Sequence, residues 1–201
     1  SVQVHPSDEY ALTHEGEYGK TEMWYILDCD EGAALYYGFK EDTTREEYEA
    51  AIKEGRLTDI LNRVPVKRGD VFFIPAGTVH AIGAGILICE IQQNSNTTYR
   101  VYDYERRGAD GSLRELHVDK ALDVTVPFTE EQVNAIRFAH GREDAQTLSH
   151  CPYFRTRRFN PATERSLTVS DESFAFMLCI GGSGSLTYQG VCYPLNRADG
   201  Y

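Results

Sequence analysis

Along the first half of the chain, apolar residues recur at every second position or in short runs, and Gly, Pro, Asn and Asp punctuate them, the pattern of short β-strands. SVQVH at 1–5 sends Gln3 and His5 to one face of an extended strand and packs Val2 and Val4 on the other. KTEMWYILD at 20–28 puts Glu22 at the head of an apolar run, so a carboxylate stands where a strand emerges from polar sequence. CDEGAALYYGF at 29–39 reads as a further strand. VFFIPAGTVHAIGAG at 71–85 is a strand stopped by Pro75, Ala76 and Gly77, followed by His80 between apolar neighbours, with Gly83 and Gly85 letting the loop fold tightly. In ILICEIQQ at 86–93 Glu90 shares a face with Ile86, Ile88 and Gln92, and in TTYRVYDYE at 97–105 Thr98, Arg100 and Tyr102 share another.

The period changes at 44–63. Thr44 with Glu47 forms a capping box, and Tyr48, Ala51 and Ile52 make the stripe of a short helix ending near Gly55. A second helix is predicted from about Thr58, finishing before Pro65. RRGADG at 106–111 is a polar turn, 113–123 a strand end and a short helix, and TEEQVNAIRFAHG at 129–141 is helical by composition. Strands are predicted again in 153–160, 164–170 and 174–195, with one hairpin at Gly181–Ser185 and another at Gln189–Gly190. GGSGS is not a phosphate loop, which needs a following helix and a Lys. His117, His140 and His150 lie among polar neighbours without ligand spacing and read as surface residues.

Alone, His80 is an ordinary core histidine. Gln3, His5 and Glu22 supply partners, and two imidazoles, a carboxylate and an amide oxygen suit a borderline ion such as zinc with a position left open. Gln is an uncommon zinc ligand, and by itself Gln3 reads as a polar strand residue.

At 201 residues and 41% hydrophobic content the chain can bury a substantial core. No stretch approaches the ~18 to 20 apolar residues of a membrane span, and no basic-then-apolar leader opens it. Five cysteines, odd in number and without a Cys-x-x-Cys pair, argue for reduced thiols in the cytoplasm. A net charge of -11 disfavours nucleic acid and anionic membrane as partners. It does not exclude a phosphorylated ligand, because exposed charges beyond about 8 Å are screened and a local cation cluster decides; Lys20, Arg100, Arg106 and Arg107 are the candidates.

SVQVHPSDEYA, GKTEMWYIL, IPAGTVHAIGAG and EIQQNSNTTYRVYDY resemble segments of the type I phosphomannose isomerases, metal enzymes of the cupin superfamily that interconvert mannose 6-phosphate and fructose 6-phosphate. The resemblance implies one zinc ion per chain held by Gln3, His5, Glu22 and His80, and active-site roles for Glu90 and Arg100. An isomerase of this kind moves a proton through an enediol; Lys20 and Glu90 are both candidates for the base, and Arg100 for holding the phosphate or the developing negative charge. The expected fold is all-β with a few short helices, a double-stranded β-helix (cupin, jelly-roll) barrel followed by a second, incomplete one. The expected divisions are a metal-binding domain at 1–126, a linker at 127–152 and the start of a metal-free cupin domain at 153–201. YPLNRADGY at 193–201 stops where a strand and a Pro-Ala-Gly turn ought to follow, so the sequence reads as a piece of a longer protein that self-associates through surfaces the missing strands would cover. The rival readings are a cupin that binds metal and sugar without catalysis, and a cupin iron oxygenase using His5, His80 and Glu22.

Overall fold

The computed structural model describes residues 1–161 and 164–201, which form two compact units, Ser1–Arg158 and Phe159–Tyr201. In the first unit the elements run β1 (Val2–Val4), α1 (Asp8–His14), β2 (Glu22–Cys29), β3 (Ala34–Phe39), α2 (Arg45–Lys53), α3 (Leu57–Ile60), β4 (Leu61–Pro65), β5 (Val71–Ile74), β6 (His80–Ala81), β7 (Ile86–Gln92), β8 (Tyr99–Tyr102), α4 (Val118–Val124), α5 (Glu130–Arg137), β9 (Thr147–His150) and β10 (Arg155–Arg157). The all-β class with a few short helices is the one the chain adopts.

Two sheets of this unit build the core. One has the order β4-β3-β6-β1-β8, the other β5-β2-β7. Period-two alternation gives each sheet an outer and an inner face. Outside the larger sheet, Val2, Val4, Val79, Ala81, Tyr99 and Val101 pack with Tyr48 of α2, Leu57 of α3 and Ala121 and Leu122 of α4. Outside the smaller one, Met23, Phe73 and Ile91 pack with Val133 and Ile136 of α5 and with Cys151 and Phe154. Between the sheets, Trp24 and Ile74 meet Leu35, with Tyr37, Val64, Phe72, Ile86 and Ile88 around them. The residues left over by this alternation, Gln3 and Glu22 among them, face inward.

α2 carries the expected capping box, in which Thr44 and Glu47 each bond the other's backbone. The helix predicted from Thr58 is shorter than expected: α3 is a single turn, and the chain then enters β4, where the β-branched Val64 is paired with Leu35 and Pro65 ends the strand opposite Ala34.

The second unit contains a two-stranded hairpin, β11 (Ser183–Tyr188) and β12 (Val191–Asn196), turned at Gln189 and Gly190, both with positive φ as a tight hairpin turn requires. The other predicted hairpin is not formed: Ser183, Gly184 and Ser185 lie within β11, paired with Asn196, Leu195 and Pro194. Residues 164–170 form no strand, because they meet no pairing partner among the described residues, and 174–180 contribute a single bridge, Leu178 to Gly200. No helix among the described residues is long and apolar enough to cross a membrane.

Candidate metal centre

β1 is the strand on which the site is built. It lies between β6 and β8, with Gln3 directly opposite His80 on one side and Arg100 on the other, so these three side chains share the inner face of the sheet. His5 follows one residue past the end of β1, and its carbonyl accepts the N–H of Gly77 at 2.7 Å, which ties the Pro-Ala-Gly turn to the strand. Gly77 is needed there: its φ is +94°, and a Cβ would stand 2.9 Å from the Val124 carbonyl oxygen. Glu22 arrives from the other sheet, as the first residue of β2.

His5, Glu22 and His80 bring one ligand atom each to within 4.8 Å of one another, and all three are buried. His5 Nδ1 donates to the Thr97 carbonyl and His80 Nδ1 to the Thr78 carbonyl, each at 2.8 Å. A carbonyl only accepts, so each ring keeps its proton on Nδ1 and turns a bare Nε2 inward. His5 Nε2 lies 3.2 Å from Glu22 Oε1, and His80 Nε2 lies 3.6 Å from Glu22 Oε2. His5 Nε2 and Glu22 Oε2 are both buried without a hydrogen-bond partner among the described residues. Lone pairs facing one another in a dry interior are costly unless a cation sits among them, so this donor set fits a metal ion. Gln3 Nε2 donates to His80 Nε2 at 3.4 Å, and the same amide turned over presents its oxygen there.

The electrostatics point the same way. Burial, then the neighbouring His5, push the His80 imidazole down to about 4, so it stands neutral. Burial works to raise the Glu22 carboxyl, but protonation of the facing imidazoles, with the Lys20 ammonium beside them, outweighs it, so as pH falls the rings take up a proton before the carboxylate does and Glu22 stays below the usual carboxylate range. Lys20 Nζ sits 2.9 Å from Glu22 Oε1 and 3.7 Å from Glu90 Oε1. Glu90 is opposite Trp24 on β7. Burial and the Glu22 charge raise its carboxyl above the ordinary value.

The candidates named from sequence are thus disposed as follows. Gln3, His5, Glu22, His80 and Lys20 come together, Glu90 joins them through Lys20, and Arg100 stands next to Gln3 with its Nε buried and unbonded among the described residues. Arg106 is committed instead to Asp103 at 2.8 Å, and Arg107 to the Gly111 carbonyl. Two neighbours of the site were missed. Trp24 stands edge-on to His80, ring centroids 5.3 Å apart, and its spacing of two from Glu22 was the signal for it. His117, read as a surface residue, is half-buried: its Nδ1 accepts the Arg100 N–H at 3.3 Å while its own N–H donates to the Arg100 carbonyl at 2.7 Å.

No family model matches the chain. Among curated proteins, mannose-6-phosphate isomerase ManA of Bacillus subtilis is 45% identical over 201 residues, covering 99% of this chain and 63% of the relative. Mannose-6-phosphate isomerase of Streptococcus mutans is 52% identical over 200 residues, covering 99% of this chain and 62% of the relative. The crystal structure of the B. subtilis mannose 6-phosphate isomerase superposes with a TM-score of 0.82 at 37% identity, over the whole of this chain and 64% of the other. Apo mannose 6-phosphate isomerase of Salmonella typhimurium, at 14% identity and a TM-score of 0.66, shares the fold. Over the nearly two thirds of their length that it spans, the chain is a homologue of the mannose-6-phosphate isomerases.

Proposed function

We propose that this chain carries the metal centre and the proton-transfer groups of a zinc-dependent aldose–ketose isomerase that interconverts mannose 6-phosphate and fructose 6-phosphate through an enediol. The observation that carries the proposal is the pair of imidazoles with protons fixed on Nδ1 and bare Nε2 atoms converging on Glu22, with Lys20 bridging Glu22 to Glu90. The names of the relatives supply the substrate.

His5, Glu22 and His80, with Gln3 as the fourth donor, would hold zinc, which as a Lewis acid lowers the cost of negative charge on the sugar oxygens. The chain's own residues do the rest. Isomerisation removes a proton from C2 and returns one to C1, a transfer that one group near both carbons can carry out by taking the proton and giving it back. Glu90, raised by burial and by Glu22, moves toward the range where a carboxyl does both, and Lys20 holds it in place and steadies charge on the substrate. Arg100, beside Gln3 on the same face, offers its planar donors to the phosphate or to the enediolate oxygen. We place the reaction in the cytoplasm, where free cysteines such as Cys29, Cys89 and Cys151 stay reduced.

The test is conversion of mannose 6-phosphate to fructose 6-phosphate by this chain, before chelation, after it, and with zinc restored. Turnover lost on chelation and regained with zinc is the expected result. Zinc bound without turnover would favour a binding cupin, and oxygen uptake with ferrous iron would favour an oxygenase.

A further inference from the structure

Lys20 lies outside the sheet ladder, since β2 begins at Glu22, yet three successive backbone N–H groups around it are all held. Gly19 donates to Asp8 Oδ1 at 2.9 Å, Lys20 to the Pro6 carbonyl at 3.0 Å, and Thr21 to Gln93 Oε1 at 2.8 Å. The two side chains also bond each other, Gln93 Nε2 donating to Asp8 Oδ1 at 3.0 Å, and the Gln93 backbone N–H reaches the Thr21 carbonyl at 3.1 Å. Gly19 permits this closeness, for a Cβ there would collide with the backbone of Pro6, Ser7 and Asp8. One brace therefore joins the start of α1, the segment 19–21 and the residue following β7, the strand that carries Glu90.

We propose that Asp8 and Gln93 are positioning residues for Lys20, acting through the backbone of residues 19–21; this rests on the isomerase reading above. These hydrogen bonds of the two side chains go to the backbone of residues 19–21 and to each other, one step away from the Lys20 ammonium. Together they set where the ammonium meets Glu22 and Glu90, and a displacement of about 1 Å there can cost up to about a hundredfold in rate.

The experiment compares the unaltered chain with Gln93→Leu, Asp8→Ala, Asp8→Asn and the double variant D8A/Q93L. It measures metal content, amide hydrogen exchange at residues 19–21, the Lys20 Nζ resonance, and kcat and KM for mannose 6-phosphate. Expected are a kcat about ten- to a hundredfold lower in Q93L and D8A at full metal content, with KM within about threefold. Exchange at Thr21 and Gly19 speeds up, and the Lys20 resonance moves while that of exposed Lys53 stays. D8N, which keeps the acceptor oxygen, stays within about threefold, and the double variant is no worse than the poorer single one because the pair acts as a unit. An unmoved Lys20 resonance in both Q93L and D8A, or a kcat loss that only follows lost metal, overturns the proposal. If the unaltered chain turns nothing over, the isomerase reading falls separately, and the Lys20 resonance with the amide exchange still decides whether the brace positions Lys20.

Discussion

His5 and His80 reach the site with their tautomers already chosen, each by a backbone carbonyl and not by a side chain. That device orients a ligand without adding charge, and leaves Glu22 as the anionic member of the buried trio. Glu22→Gln removes that charge while keeping the shape. Metal content, measured by plasma mass spectrometry after dialysis, should drop from one ion per chain to under about a tenth, with turnover down at least about a hundredfold; full metal retention by E22Q would contradict the assigned ligand set. A second residue-scale case is Asp103, buried between Arg114 and Arg106. Arg114 foremost, then Arg106, hold its carboxyl well below the usual range, so it stabilises the fold above its unfolded pKa of about 3.9 and ceases to as pH falls through the lower folded value. Asp103→Asn should cost about 1 to 3 kcal/mol in urea unfolding at pH 7, a difference that shrinks as pH falls below about 3.9. A gap that stays constant at low pH would show that the loss is one of packing.

Elements bring these residues together, and the Pro-Ala-Gly turn does so most directly, since Gly77 donates to the His5 carbonyl and accepts from Val126 N–H at 2.9 Å. Gly77→Ala places a methyl against the Val124 carbonyl at a φ that L residues rarely adopt, a strain of about 1 to 3 kcal/mol. The variant should melt lower and bind metal more weakly, whereas Thr44→Ala, which loses only the cap of α2, should cost about 1 kcal/mol and leave metal binding as it was. Equal effects of the two on metal affinity would deny the turn its role. The same elements show what the sequence could tell. Gln3 and His5 on one face, Glu22 at a strand head and His80 after a turn were legible because a strand has a period of two and Gly and Pro mark its ends. The carbonyls of Thr97 and Thr78 were not, because a backbone acceptor has no residue signature. Nor was the brace of Asp8 and Gln93, whose partners lie 85 residues apart. Residues 164–170 have the composition of a strand but lie in no β-ladder among the described residues, and composition cannot supply one.

In the molecule as a whole, the unit Ser1–Arg158 buries its apolar residues in three clusters, but among the described residues of the unit Phe159–Tyr201 none is fully buried. Phe174 is 88% exposed, Phe176 68% and Val169 58%, and β11 and β12 pair only with each other among the described residues. A two-stranded hairpin has two open edges, each a row of N–H and C=O groups ready to accept another strand, and apolar surface beside such an edge favours it. The expected partner is a second copy of the chain, since it presents the same edge in a self-complementary way. Sedimentation velocity across a hundredfold range of concentration should therefore show the weight-average coefficient rising with concentration, and Phe174→Ser with Phe176→Ser should flatten that rise while leaving metal content unchanged. A coefficient that stays at the monomer value throughout would mean that these aromatic side chains do not drive association.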